Sequence, residues 1–242
     1  MGDTMNGLIL NGDDFGMNQR CSLAIAEAFA RDILTDTTMM ATGEYFSEAV
    51  ALAREKGFDD RIGIHLNLTE GEPITVDIRE IPLFVIDGKF HKAYLKRPRS
   101  LTDAEKAAVY RELSAQAARL ENAGIRITHA DSHHYIHTFT HLAPIAAKVC
   151  RQHGIRRIRL NRTFDTPSRP KIIDGRIPNE YWREQGFVTS DHFGRLSDIE
   201  GGVIPDNTEI MLHPDYDKNG ILIDRTGVKD GCATGKILGS LW

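Results

Sequence analysis

Apolar runs of strand length alternate with amphipathic helical patterns along most of the chain, and this alternation constrains the fold more than any other feature. Gly7–Gly12 reads as a short apolar strand. A helix follows near Arg20–Arg31, with Cys21, Ala24, Ile25 and Ala28 at i, i+3, i+4 and i+7 spacing. Thr35–Ala41 is a second candidate strand, and Phe46–Lys56 a second helix that Gly57 stops. From Ile62 to Leu68 the alternation is strict: Ile62, Ile64, Leu66 and Leu68 share one face, and Gly63, His65 and Asn67 share the other. Residues 70–100 read mostly as loop, punctuated by Pro73, Pro82 and Pro98. Thr102-Asp103-Ala104-Glu105 fits a capping box and opens a long helix that ends at Gly124. Ile125–Asp131, Ile155–Leu160 and Glu209–His213 read as further strands, with a helix marked by Leu142, Ile145, Ala146 and Val149. Strands alternating with helices imply a parallel sheet under covering helices. The number of units suits a (β/α) barrel better than an open sheet, so the expectation is one α/β domain over residues 1–242.

Composition narrows the function classes. A net charge of −4 leaves no electrostatic footprint for nucleic acid or an anionic membrane. No run approaches the roughly 18 apolar residues of a membrane span, and Met1–Asn6 lacks the basic and apolar regions of a signal peptide. Cys21, Cys150 and Cys232 are odd in number and widely spaced, which argues against a disulfide framework and for a cytoplasmic protein.

The polar residues that stand out lie at the C-terminal ends of predicted strands. Asp13 and Asp14 follow the first, His65 and Asn67 sit late in the third, and Asp131, His133, His134 and His137 follow the strand after the long helix. His213 ends the last. In a barrel those ends meet on the face where active sites form. Taken singly, each has a structural explanation: the Asp pair as a helix cap, His65 as a core histidine, His-His-Tyr-Ile-His as a solvated loop. Together they favour a site, because inward His and Asn are costly to bury unless paired. Two imidazoles and a carboxylate can hold a catalytic divalent metal with a position left for water. A carboxylate off the metal can then act as general base, and a histidine opposite can protonate a leaving amine.

Five segments carry a resemblance to a known family: Leu10-Asn11-Gly12-Asp13-Asp14-Phe15-Gly16, Thr35-Asp36-Thr37-Thr38-Met39-Met40, Gly63-Ile64-His65-Leu66-Asn67-Leu68-Thr69-Glu70-Gly71, His129-Ala130-Asp131-Ser132-His133-His134-Tyr135-Ile136-His137 and Met211-Leu212-His213-Pro214. In order and approximate spacing they resemble the YdjC-like carbohydrate deacetylases, which include chitooligosaccharide deacetylase. The resemblance implies a distorted TIM-like barrel, a divalent metal given as Mg²⁺, and removal of N-acetyl groups from chitin-type amino-sugars by a water activated at that metal. Homodimers are implied at the family level. By motif position it implies Asp14, His65 and His133 as metal ligands, Asp13 as general base and His213 as general acid. Arg159, with Asn67 and His137, is implied on the substrate side. An Asp-His-His donor set suits Zn²⁺ or another transition metal better than magnesium. Gly12 and Tyr135 depart from the residues common in the family, and after His213 the usual closing strand and helix are not legible; the turn at Asn219-Gly220 and the stretch Gly227–Gly239 read as loop. Two rivals stand beside the deacetylase. One is a phosphoesterase on a similar barrel, which would need Asp131 and His137 as further ligands. The other is a catalytically silent sugar-binding protein.

Overall fold

The first strand, β1 (Leu8–Phe15), runs longer than its apolar core predicts, because Asp13 and Asp14 continue it as buried residues. The computed structural model describes residues 7–164, 176–199 and 203–227. Met1–Asn6, Cys232 and the tail from residue 228 onward lie outside the described residues. After β1 come α1 (Gln19–Ala30), β2 (Asp36–Met39), α2 (Phe46–Lys56) and β3 (Ile62–Leu66). Gly57 ends α2 in the left-handed region at φ 75, where it pays no Cβ penalty. The segment read as loop instead carries α3 (Val76–Arg79), the small hairpin β4 (Val85–Ile86) and β5 (Lys89–Phe90), and α4 (Ala93–Lys96). The capping box is present: the Glu105 backbone N–H donates to Thr102 Oγ1 at 3.2 Å, and Glu105 Oε2 accepts from the Thr102 N–H at 2.8 Å. It opens α5 (Asp103–Asn122). Then follow β6 (Ala130–Ser132), α6 (Ala143–Gln152), α7 (Glu180–Glu184), β7 (His192–Arg195), β8 (Thr208–Leu212), β9 (Pro214–Tyr216) and β10 (Leu222–Asp224).

Six strands pair in the order β6-β3-β2-β1-β8-β7, and every pairing in this sheet is parallel. The residues of β3 are buried on both faces, as expected of a parallel sheet with helices on one side and a filled interior on the other. The sheet curls. Laid flat, β6 and β8 would stand about 19 Å apart at ordinary strand spacing. Yet the single guanidinium of Arg159 reaches Asp131 on β6 and Glu209 on β8, each at 2.6 Å.

Among the described residues the expected TIM-like barrel is seen as a half-barrel, a curled parallel sheet of six strands. Of the predicted strand Ile125–Asp131, only Ala130–Ser132 forms a ladder. Ile155–Leu160 makes isolated parallel bridges, Ile158 with Ala130 and Arg157 with Val188, and no continuous strand. Period-2 apolarity marks a segment able to pair on two sides; it does not supply the partner.

The inner face of the curl is polar and tightly filled. A Cβ on Gly63 would lie 2.6 Å from the His129 ring. That ring is held by Thr128 Oγ1 at 2.8 Å and Asn11 Oδ1 at 2.9 Å, so it has little freedom to yield. Gly63→Ala is expected to cost about 1–3 kcal/mol by overpacking, read as a lower urea midpoint with an unchanged slope. An unchanged midpoint would show that the His129 ring can step aside.

Candidate metal centre and its surroundings

In a regular strand Asp13 and Asp14 would point to opposite faces. Pairing of β1 with β2 instead slips between Gly12 and Phe15, and Asp14 adopts φ 70. This bulge lets both carboxylates turn into the curl, as bulges beside active sites do. A left-handed backbone on a residue other than glycine is uncommon, and Asp tolerates it better than most. The segment after β6 carries the same kind of strain: His134 and Tyr135 follow His133 with φ 55 and 57. Such clustering is characteristic of functional sites.

Asp14, His65 and His133 come together, all buried. Asp14 Oδ1 lies 2.8 Å from His133 Nδ1 and 3.2 Å from His65 Nε2. Neither ring nitrogen is aligned to donate to it, so this buried oxygen has no hydrogen-bond partner. One carboxylate oxygen and two ring nitrogens therefore converge on one point, an arrangement that can hold a divalent metal in place of the ring protons. The electrostatics agree. Burial opposes a charge on His65, but Asp131, then Asp14 and Asp13, outweigh it and push the imidazole up to about 10. Burial likewise opposes ionisation of Asp14, and His133, His65 and His213 outweigh it and hold the carboxyl well below its usual range. The site favours positive charge between these groups.

Arg159, which the resemblance implies on the substrate side, is 2 % exposed and sits among carboxylates. It donates from Nη1 and Nη2 to Asp13 at 2.6 and 2.7 Å and from Nε to Glu209 at 2.6 Å. Asn11 Nδ2 also donates to Asp13 Oδ1, at 2.8 Å. Burial would raise the Asp13 carboxyl, but the charge and hydrogen bonds of Arg159 prevail and hold it below the usual carboxylate value. Asp131 serves several partners at once: it lies 2.6 Å from His65 Nδ1, accepts from Thr38 Oγ1 at 3.0 Å, and pairs with Arg159.

His213 follows β8 and points Nε2 toward Asp14 Oδ2 at 3.9 Å, with its buried Nδ1 unbonded. Its backbone is fixed by Asp224, whose Oδ1 accepts from the His213 N–H at 3.0 Å. The turn at Asn219-Gly220 joins β9 and β10 into a hairpin that docks on α1, where Arg20 meets Asp215 at 2.5 Å and Tyr216 donates to Glu27 at 2.7 Å. The hairpin returns Arg225 to the site, where it donates to Asp14 Oδ2 at 2.8 Å.

Two expected substrate residues are not brought to an open surface. Asn67 is fully buried and spends its side chain on its own loop, donating to Thr42 Oγ1 and the Glu70 carbonyl and accepting from the Thr69 N–H. His137 is fully buried, with Nδ1 2.5 Å from Ser132 Oγ and Nε2 3.0 Å from the Arg159 carbonyl. One ring nitrogen is engaged by the Ser132 hydroxyl and the other by a backbone carbonyl, so neither is free to be the extra ligand that a two-metal phosphoesterase would need. Sequence reasoning missed Glu70, Glu209 and Arg225. For Glu70 the segment Gly63–Gly71, which contains it, was a usable signal; Glu209 and Arg225 lie outside the five segments.

A cavity of about 710 Å³ opens beside the centre, with Glu70 shared between them. Met17, Met40, Glu44, Ile74 and Lys89 are among its other walls, giving the mixed apolar and polar lining of small-molecule sites.

Comparisons with known proteins place the chain among relatives. The chain is 31% identical over 234 residues to a carbohydrate deacetylase of Brevibacillus brevis, covering 96% of this chain and 90% of the relative. It is 35% identical over 212 residues to a carbohydrate deacetylase of Listeria monocytogenes serotype 4a, covering 86% and 81%. Among solved structures it matches, with a TM-score of 0.66 and 26% identity over 90% of this chain and 84% of the other, a protein of Enterococcus faecalis V583 described as acting in cellobiose-phosphate cleavage. The family model for YdjC-like protein matches residues 7–233, which takes in the bulged Asp pair, both clustered histidines and His213: the chain belongs to the YdjC-like family.

Proposed function

We propose that this protein is a metal-dependent carbohydrate deacetylase that hydrolyses the N-acetyl group of an amino-sugar of the N-acetylglucosamine or chitooligosaccharide type. The observation that carries the reading is the convergence of Asp14, His65 and His133 around an unbonded buried oxygen, with Asp13 and His213 on separate elements beside it. The names of the relatives support the reaction class. Asp14 Oδ1, His65 Nε2 and His133 Nδ1 would hold the cation. A bound divalent ion supplies Lewis-acid chemistry, lowering the pKa of water and polarising a carbonyl.

The chain's own residues supply the rest. Asp13, kept ionised by Arg159, takes a proton from the water whose oxygen adds to the acetyl carbon. His213 gives a proton to the amide nitrogen as the carbon–nitrogen bond breaks. Acetate and a free amino-sugar leave. Fixed charges in a water-poor site stabilise the developing oxyanion more strongly than solvent would. The sugar occupies the cavity flanked by Glu70.

The family resemblance implies Mg²⁺, whereas a donor set of two imidazoles and one carboxylate favours Zn²⁺ or a similar ion. One experiment addresses both points. Acetate release from N,N′-diacetylchitobiose and from its 6-phosphate is followed for the protein as purified, after chelation, and after adding back Mg²⁺ or Zn²⁺. Chelation is expected to abolish release and one of the two ions to restore it. No acetate from either sugar, with an ion bound, would remove the substrate assignment and leave the silent sugar-binding reading standing.

A further inference from the structure

The two imidazoles of the centre are each backed by a carboxylate on the nitrogen that faces away from it. His65 presents Nε2 to the centre and has Asp131 at 2.6 Å from Nδ1. His133 presents Nδ1 and has Glu70 Oε2 at 3.1 Å from Nε2. A carboxylate in that position fixes the tautomer, turns the ring and raises the basicity of the nitrogen that binds a metal. The two backing groups differ in kind. Asp131 is fully buried and tied to Thr38 and Arg159. The Glu70 side chain is 42% exposed, forms part of the cavity wall, and has Lys92 Nζ 3.8 Å from the same oxygen.

The loop that carries Glu70 is held from beneath by two fully buried residues of α5. Gln116 accepts from the Asn67 N–H at 3.0 Å and donates to the Asn67 carbonyl at 2.7 Å. Glu112 accepts from the N–H groups of Ile74 at 3.1 Å and Thr75 at 2.7 Å. Buried backbone groups need partners, and these two side chains meet that need at both ends of residues 67–75. The loop backbone is thereby anchored, and the Glu70 carboxylate is delivered to His133.

We propose that Glu70 is a positioning residue that holds His133 in the tautomer presenting Nδ1 to the cation, and that its place in the cavity wall ties the metal centre to the ligand in the cavity. The assignment rests on the metal-centre reading above. Any coupling between cation binding and sugar binding that Glu70 carries is equal in both directions, since linkage between two sites on one protein is reciprocal.

The test is cation affinity by titration calorimetry with Zn²⁺ and with Mg²⁺ for the wild type, Glu70→Ala, Glu70→Gln and Lys92→Ala. It is paired with the ring ¹⁵N shifts of His133 in the metal-free protein. Glu70→Ala is expected to weaken cation binding roughly 10- to 100-fold and to mix the His133 tautomers. Glu70→Gln keeps an acceptor oxygen and is expected to recover part of the loss. Lys92→Ala is expected to match the wild type. Because Glu70 is half exposed, the thermal midpoint is expected to stay near that of the wild type, which separates positioning from unfolding. Wild-type-like affinity in Glu70→Ala would overturn the role of Glu70 while leaving the metal centre intact. A wild type that binds neither ion would overturn the metal-centre reading, and this assignment with it.

Discussion

Replacing Arg159 with methionine is expected to destabilise the protein by about 3–5 kcal/mol, the usual cost of removing one partner from a buried ionic network. Methionine fills much of the same volume, so the loss is chiefly electrostatic. The guanidinium is the shared cation for Asp13, Asp131 and Glu209, and all four side chains are nine-tenths buried or more. Without it, three carboxylates face one another across the curl, and the contacts that bring β6 toward β8 are lost. The pH dependence has a definite sign. Burial already raises the Glu209 carboxyl even with Arg159 beside it. In the variant, carboxylates in the folded state would sit above their unfolded values. The folded state would then bind more protons than the unfolded state, and stability would rise as pH falls. The deficit against the wild type is therefore expected to narrow between neutral and mildly acidic pH. Urea denaturation at several pH values measures it. A loss below about 1 kcal/mol at neutral pH, or a deficit that widens on acidification, would show that Arg159 does not carry this load. Arg159→Lys is expected to fall between, since an ammonium restores charge without the planar fork that grips Asp13 through two nitrogens.

Asp13→Asn is expected to lower acetate release by about 10²- to 10⁴-fold, the range contributed by a positioned general base. An amide has no basic oxygen of comparable strength. It can still accept from Arg159, so the fold is expected to survive with a modest loss, and a thermal midpoint run in parallel checks that. The fall should lie in kcat with little change in KM, because proton removal is felt in the transition state and not in sugar binding. A loss of less than tenfold would take Asp13 out of proton transfer and leave it as part of the Arg159 network. Metal affinity adds a second distinction. Asp13→Asn is expected to leave it near the wild-type value, whereas Asp14→Asn is expected to reduce it severely, since only Asp14 lies with both histidines around the unbonded oxygen.

Much of the local structure is legible in the residues themselves. Phe46–Lys56 is helical over the predicted span, Thr102 and Glu105 form the predicted box, and β3 forms within the predicted strand Ile62–Leu68. These features depend on contacts within a few residues, where periodicity and capping chemistry act directly. The clustering of Asp14, His65 and His133 also has a sequence signal, because each lies at or near the C-terminal end of a parallel strand and such ends share one face. The roles of Asn67 and His137 were not legible. The resemblance implies the substrate side for both, and the structure shows their hydrogen bonds to Thr42, Ser132 and backbone carbonyls, partners that no local pattern names.

By itself the sequence determined the α/β class, the strand-end placement of the ionisable residues and the chemistry those residue types can perform. Only the tertiary structure decided that the six strands of the described residues curl into a half-barrel, that a bulge turns two consecutive aspartates to the same side, and that Arg159 is a buried hub. The tertiary structure likewise paired Asp131 with His65, Glu70 with His133 and Arg225 with Asp14. The physical reason is range. A hydrophobic period or a cap is settled by neighbours along the chain. The partner of a buried charge is settled by which strands become adjacent and how far the sheet curls, and those depend on packing summed over the whole domain.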